Sequence, residues 1–160
     1  MWEASYPFFE WHSTSWLGTQ ISNSIWLFPA VETVHILAMA VMFGALLVLN
    51  LRLLGLGLKN QPLPLLTKTL WPFANWGLII MLVSGYAMFA SEALKCYAND
   101  GFKFKMASLF LIIVFQYTIY RWLIKQDDNQ RSAVLGGIAA LLNFGLWFCV
   151  GAGGRAIGFV

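Results

Sequence analysis

The chain has 160 residues, 59% of them hydrophobic and 11% charged, where a soluble domain carries roughly 45–50% apolar and about 25% charged residues. So few charges cannot coat a water-exposed surface, which excludes a soluble fold. The net charge of +3 comes from basic residues scattered singly beside hydrophobic blocks, the pattern of membrane anchors, and no nucleic-acid partner is expected.

Residues 1–22 mix Phe8, Phe9, Trp11 and Trp16 with Glu10, Ser13 and Ser15, as an amphipathic stretch lying in the membrane interface does. This segment has neither a basic start nor a small-residue cleavage site, so it does not read as a secretory signal. The first span, about 25–55, is interrupted only by Glu32, His35, Asn50 and Arg52 and exceeds the roughly 20 residues a bilayer core requires. The second, about 70–91, is free of charge up to Glu92. The third, about 104–124, carries Lys105 near its start and Arg121 near its end, and the fourth, about 133–156, ends beside Arg155.

The connections are short and polar. Lys59 to Lys68 holds Pro62 and Pro64, Lys95 to Lys103 holds Asn99-Asp100-Gly101, and Lys125 to Arg131 holds Asp127-Asp128-Asn129. Short links favour antiparallel neighbours. The expected fold is therefore an all-α, integral-membrane, up-down-up-down four-helix bundle forming one transmembrane domain over residues 1–160. Gly77, Gly85, Gly136, Gly137, Gly145, Gly154 and Gly158 read as positions of close helix approach.

Orientation follows from the basic residues of alternate ends. Arg52, Lys59, Lys68, Arg121, Lys125 and Arg131 fall on one side, and Lys95, Lys103, Lys105 and Arg155 on the other. The first side is expected to face the cytoplasm, which puts both termini outside it.

Ionisable residues inside spans are costly and mark sites. Glu32, His35, Lys105 and Arg155 all come out near the external face, so a polar pocket opening outward is expected there. Glu32 and His35 stand three apart on one helix face, where the carboxylate can orient the imidazole. Met39 and Met42 continue that face. A His-Met-Met stripe suits a soft ion such as Cu(I), and His35 also suits an axial position on haem iron. His12 is the only other histidine and is a candidate to fold over His35; Tyr86, Met88, Met106 and Lys105 are weaker second ligands. Cys96 and Cys149 have no paired spacing, so a thiolate cluster or a disulfide is not expected. A single ExxH cannot hold two irons, and no nucleotide loop, nucleophile elbow or HExxH is present.

The run Leu27-Phe28-Pro29-Ala30-Val31-Glu32-Thr33-Val34-His35, with Gly44 and Asn50-Leu51-Arg52-Leu53-Leu54-Gly55, resembles an uncharacterised bacterial four-helix inner-membrane family. Asn99-Asp100-Gly101-Phe102-Lys103-Phe104-Lys105 and Gly154-Arg155-Ala156-Ile157-Gly158 carry the same resemblance. It implies location in the bacterial inner membrane. More distantly, the chain is similar to the four-helix protoporphyrinogen oxidases and the copper-resistance D proteins. That similarity implies that His35 is a haem-associated histidine, that Arg52 matches their arginine, and that Lys105 matches a lysine of porphyrin chemistry. The chain departs from these patterns at Asn50, where Asp is common, and late in the third span, where Tyr117, Tyr120 and Arg121 stand in place of a histidine.

Three functions are expected from these readings. The leading one is a haem- or porphyrin-associated redox or electron-transfer protein, with His35 as ligand, Glu32 beside it, and Lys105 and Arg155 facing propionates. The second is an accessory subunit of a larger inner-membrane complex. The third is copper handling through His35, Met39 and Met42.

Overall fold

The structure, a computed structural model, describes residues 5–97, 99–127, 129 and 132–157. Among these there is helix and no strand. Two short helices, α1 (Tyr6–Thr14) and α2 (Trp16–Asn23), precede α3 (Leu27–Leu53) and α4 (Leu63–Ser91). A five-residue helix α5 (Ala93–Tyr97) leads into α6 (Asp100–Phe115), a π-helical turn (Gln116–Tyr120) and α7 (Arg121–Lys125), and α8 (Ala133–Ile157) completes the chain. Four helices are long and apolar enough to cross a membrane: Leu27–Leu53, Leu63–Ser91, Asp100–Lys125 and Ala133–Ile157. The chain is a multi-pass, all-α membrane bundle set in a lipid bilayer. The expectations for Arg131, Asp128, Gly158, Met1 and Val160 lie outside the described residues.

Local chemistry sets the helix ends. Ser24 Oγ accepts from the Leu27 amide at 3.2 Å where α3 begins. At its other end Gly55, at φ +70°, lets the Leu56 amide reach the Leu51 carbonyl at 2.9 Å and the Gly55 amide reach the Arg52 carbonyl at 3.1 Å. This paired closure needs a left-handed residue, which glycine adopts without a Cβ clash. Arg52 Nε donates to the Gln61 carbonyl at 2.9 Å, tying that helix end to the following loop.

Helix α4 starts at Leu63, about two turns before the expected residue 70. Pro62 is its extended N-cap and Pro64 lies in its first turn, where a missing N–H costs nothing because the first amides of a helix have no partner in it. Likewise α6 starts at Asp100 because Asn99 caps it, accepting from the Phe102 amide at 3.2 Å.

Helices α3 and α4 pack along each other, as do α6 and α8, while α3 meets α8 and α4 meets α7. At Gly77 an added Cβ would stand 2.8 Å from Met42 Cβ and 2.9 Å from the Ala38 carbonyl. At Gly153 it would stand 2.9 Å from Lys105 Cβ. Gly145, by contrast, has nothing within 4 Å, and Gly137 meets only Leu54 Cδ2, at 4.0 Å. The expectation of close approach therefore fails at these two positions, which point away from the packed seams.

Between α3, the π turn and α8 runs a buried belt of polar side chains. Asn50 Nδ2 donates to Asn143 Oδ1 at 3.0 Å, Tyr120 Oη donates to Asn50 Oδ1 at 2.7 Å, and Trp147 Nε1 donates to Gln116 Oε1 at 3.0 Å. Asn50, Gln116, Tyr120 and Asn143 are wholly buried.

The N-terminal segment, expected as an amphipathic interfacial stretch, docks on the end of the bundle. Ser15 caps α2 by accepting from the Gly18 amide at 3.1 Å, and an added Cβ at Gly18 would lie 2.7 Å from the Ala90 carbonyl of α4. Phe9 is buried with Ala93 and Cys96, against Phe89, Tyr97 and Phe102. Its apolar face thus finds protein, while Trp11 and Trp16 stay exposed.

Candidate functional site

The up-down topology brings the start of α3, the end of α4, the start of α6 and the end of α8 to one end of the bundle. His35 stands there, half-buried on the first turns of α3. Its Nδ1 is 2.9 Å from Ser84 Oγ on α4. The Ser84 hydroxyl in turn donates to the Ile80 carbonyl, at 2.7 Å. With the hydroxyl proton on the Ile80 carbonyl, Ser84 Oγ is the acceptor for His35, and in that tautomer the imidazole carries its proton on Nδ1 with the Nε2 lone pair free. Gly85 faces the ring edge, where an added Cβ would lie 3.2 Å from His35 Cε1. Gly85, read from sequence as a helix-packing position, is therefore clearance for an imidazole.

Lys105 reaches the same end from α6. Its stem lies against Gly153, and its Nζ is 3.5 Å from where a Cβ on Gly154 would be. The absence of side chains at these two residues opens the channel in which the lysine lies. Lys105 and Glu32 both lie within electrostatic reach of His35. Lys105 makes no hydrogen bond or ion pair among the described residues.

The other expected site residues are placed differently. Glu32 and Arg155 are exposed; Glu32 makes no ion pair among the described residues. His12 is buried, with Nδ1 2.8 Å from the Phe8 carbonyl and its ring packed against Phe8, Trp11, Tyr86 and Phe89. It thus leans on α4 about a turn beyond Ser84 and is held there by aromatic contacts. Met42 is wholly buried and its Cβ and amide press on Gly77, so it serves the α3–α4 seam. Met39 packs against the same core.

Sequence reasoning missed Ser84. Its signal was a serine beside a glycine in the middle of a charge-free apolar span. Cys96, read from sequence as an unpaired thiol, is free and buried at this end on α5, where burial pushes its thiol up to about 11. Among the described residues no group of three or more His, Cys, Asp and Glu side chains gathers to hold a metal ion. A haem or porphyrin brings its own ring nitrogens, and one imidazole with a free Nε2, an anchored Nδ1 and a nearby cation fits the axial and propionate sides of such a group.

The chain belongs to a family of unknown function (DUF6644), whose model matches residues 8–160. No curated protein and no solved structure matches it.

Proposed function

We propose that this member of the family is a protein of the bacterial inner membrane, with both termini outside the cytoplasm, that holds a haem or porphyrin at the His35 end and serves in redox or electron transfer. The observation that carries this reading is the contact of His35 Nδ1 with Ser84 Oγ, itself bonded to the Ile80 carbonyl. An imidazole whose Nδ1–H is fixed by a hydroxyl acceptor, itself fixed by a carbonyl, presents Nε2 as ligating histidines do. A haem bound there would supply one-electron chemistry. The chain's own residues orient the ring through Ser84, clear its edge through Gly85, and offer the Lys105 ammonium to a propionate. A half-buried lysine without a carboxylate partner among the described residues is costly in a bilayer, which favours an anion beside it. Arg155, next to Gly154 in the sequence of α8, would add a second cation for the same group. The distant similarity to protoporphyrinogen oxidases and copper-resistance D proteins, carried by His35, Arg52 and Lys105, supports the same class. Copper handling is less well supported, because it requires several soft donors and Met42 is engaged in helix packing.

The test is the visible absorption spectrum of the protein purified from membranes supplied with haem. A Soret band is expected, lost in His35→Ala and kept in His12→Ala. A colourless protein that still binds no haem on titration overturns the reading. The second reading, an accessory subunit of a larger membrane complex, is favoured by an apolar cleft of about 280 Å³ between α3 and α4, lined by Val34, Leu37, Val41, Phe73, Trp76 and Ile80. Stoichiometric copurification with other membrane polypeptides would support it.

A further inference from the structure

At the opposite end of the bundle from His35, the first turns of α4 and the short helix α7 enclose a second cavity, of about 310 Å³. Lys68, Arg121 and Lys125 stand around it, and Pro64, Trp71 and Pro72 form its apolar wall. The Arg121 guanidinium lies over the Trp71 ring, 5.6 Å from its centroid. This stacking holds the arginine in place without using up its N–H donors on a carboxylate. Among the described residues no Asp or Glu lines the cavity, and neither Lys68 nor Lys125 is ion-paired. Thr67 Oγ1 donates to the Ile124 carbonyl at 3.0 Å, which locks α4 to α7 and fixes the spacing of the cations.

We infer that this cavity binds the phosphate headgroup of an anionic phospholipid. Its place fits that occupant: α4 has 29 residues, about 43 Å at 1.5 Å per residue, longer than the roughly 30 Å hydrocarbon core, so its first turns stand at headgroup depth. Its chemistry fits as well. Arg121 presents a fork of donors suited to phosphate oxygens, and basic pockets between transmembrane helices take such headgroups. The apolar wall of Pro64, Trp71 and Pro72 would lie along the glycerol and the first methylenes, which free inorganic phosphate lacks. The inference stands independently of haem binding.

The experiment measures lipid binding by native mass spectrometry and thermal unfolding of the detergent-purified protein. Phosphatidylglycerol is expected to bind about tenfold tighter than phosphatidylcholine and to raise the unfolding temperature more. Lys68→Gln/Lys125→Gln, at two exposed positions that the fold does not need, should remove most of that preference, and adding Arg121→Gln should abolish it. Lys59→Gln, a cation at the same end outside the cavity, should not change it. Equal binding of both lipids, a preference that survives the variants, or the same stabilisation by inorganic phosphate alone would overturn the inference.

Discussion

Ser84 has two tasks at one oxygen: it bonds back to the Ile80 carbonyl, as serine in an apolar helix commonly does, and it accepts from His35. Removing that acceptor frees the imidazole to turn. Ser84→Ala should therefore weaken haem retention by about 10–100-fold while circular dichroism stays unchanged; haem titration of the stripped protein checks it, and unaltered affinity would mean that the hydroxyl does not set the ring. His35 was legible in the sequence because it is the only histidine inside a span. Ser84 was not, since nothing local distinguishes a serine bonded only to its own helix from one facing a neighbour. Cys96 gives a pH prediction. Burial lifts its thiol from 9.0 to about 11, so the fold favours the neutral form. That contribution is complete below the unfolded value and is lost as pH rises through the folded one. Between about pH 9 and 11 the wild type should lose stability relative to Cys96→Ala by about 1.4 kcal/mol per unit, as read from unfolding in detergent along a pH series.

At the scale of elements, two glycines that look alike in sequence should behave in opposite ways. Gly77→Ala drives a methyl to within 2.8 Å of Met42 Cβ and 2.9 Å of a backbone carbonyl, and backbone cannot move aside cheaply; a loss of about 1–3 kcal/mol is expected. Gly145→Ala points into open space and should be neutral or gain about 0.5–1 kcal/mol from restricting the unfolded chain. Paired melting curves in detergent decide between these outcomes. The four spans themselves were legible, because long apolar runs survive any error in local detail. The start of α4 was not, because Pro62 and Pro64 signal a loop as readily as a first helical turn. Nor was the docking of α1 and α2, whose apolar face suits either lipid or the end of a bundle, and only the shape of that end decides.

Across the whole molecule, helix pairs are joined by polar contacts where the solvent is hydrocarbon and apolar contact alone gives no preference for protein over lipid. Asn50, Gln116 and Asn143 each stood in an apolar run, yet their pairing depends on depth and rotation in separate spans, which the sequence does not encode locally. Tyr120→Phe leaves Asn50 Oδ1 without its donor and should cost about 0.6–1.7 kcal/mol, measured by unfolding in detergent; an unchanged midpoint would mean that this hydroxyl adds nothing to the belt.

The π-helical turn Gln116–Tyr120 carries two members of that belt and stands directly before the cations Arg121 and Lys125. It absorbs one residue more than an α-helix would fit into the same length, so it acts as a phase adjuster within a single span. Wound as α-helix throughout, the same chain would carry Arg121 and Lys125 about 100° further round the axis, away from Trp71 and Lys68. Deleting Ile119, an exposed residue of the turn, should straighten the helix and leave both cations facing α4. Adding a residue there should swing them off it, with phosphatidylglycerol preference lost in the longer chain and kept in the shorter.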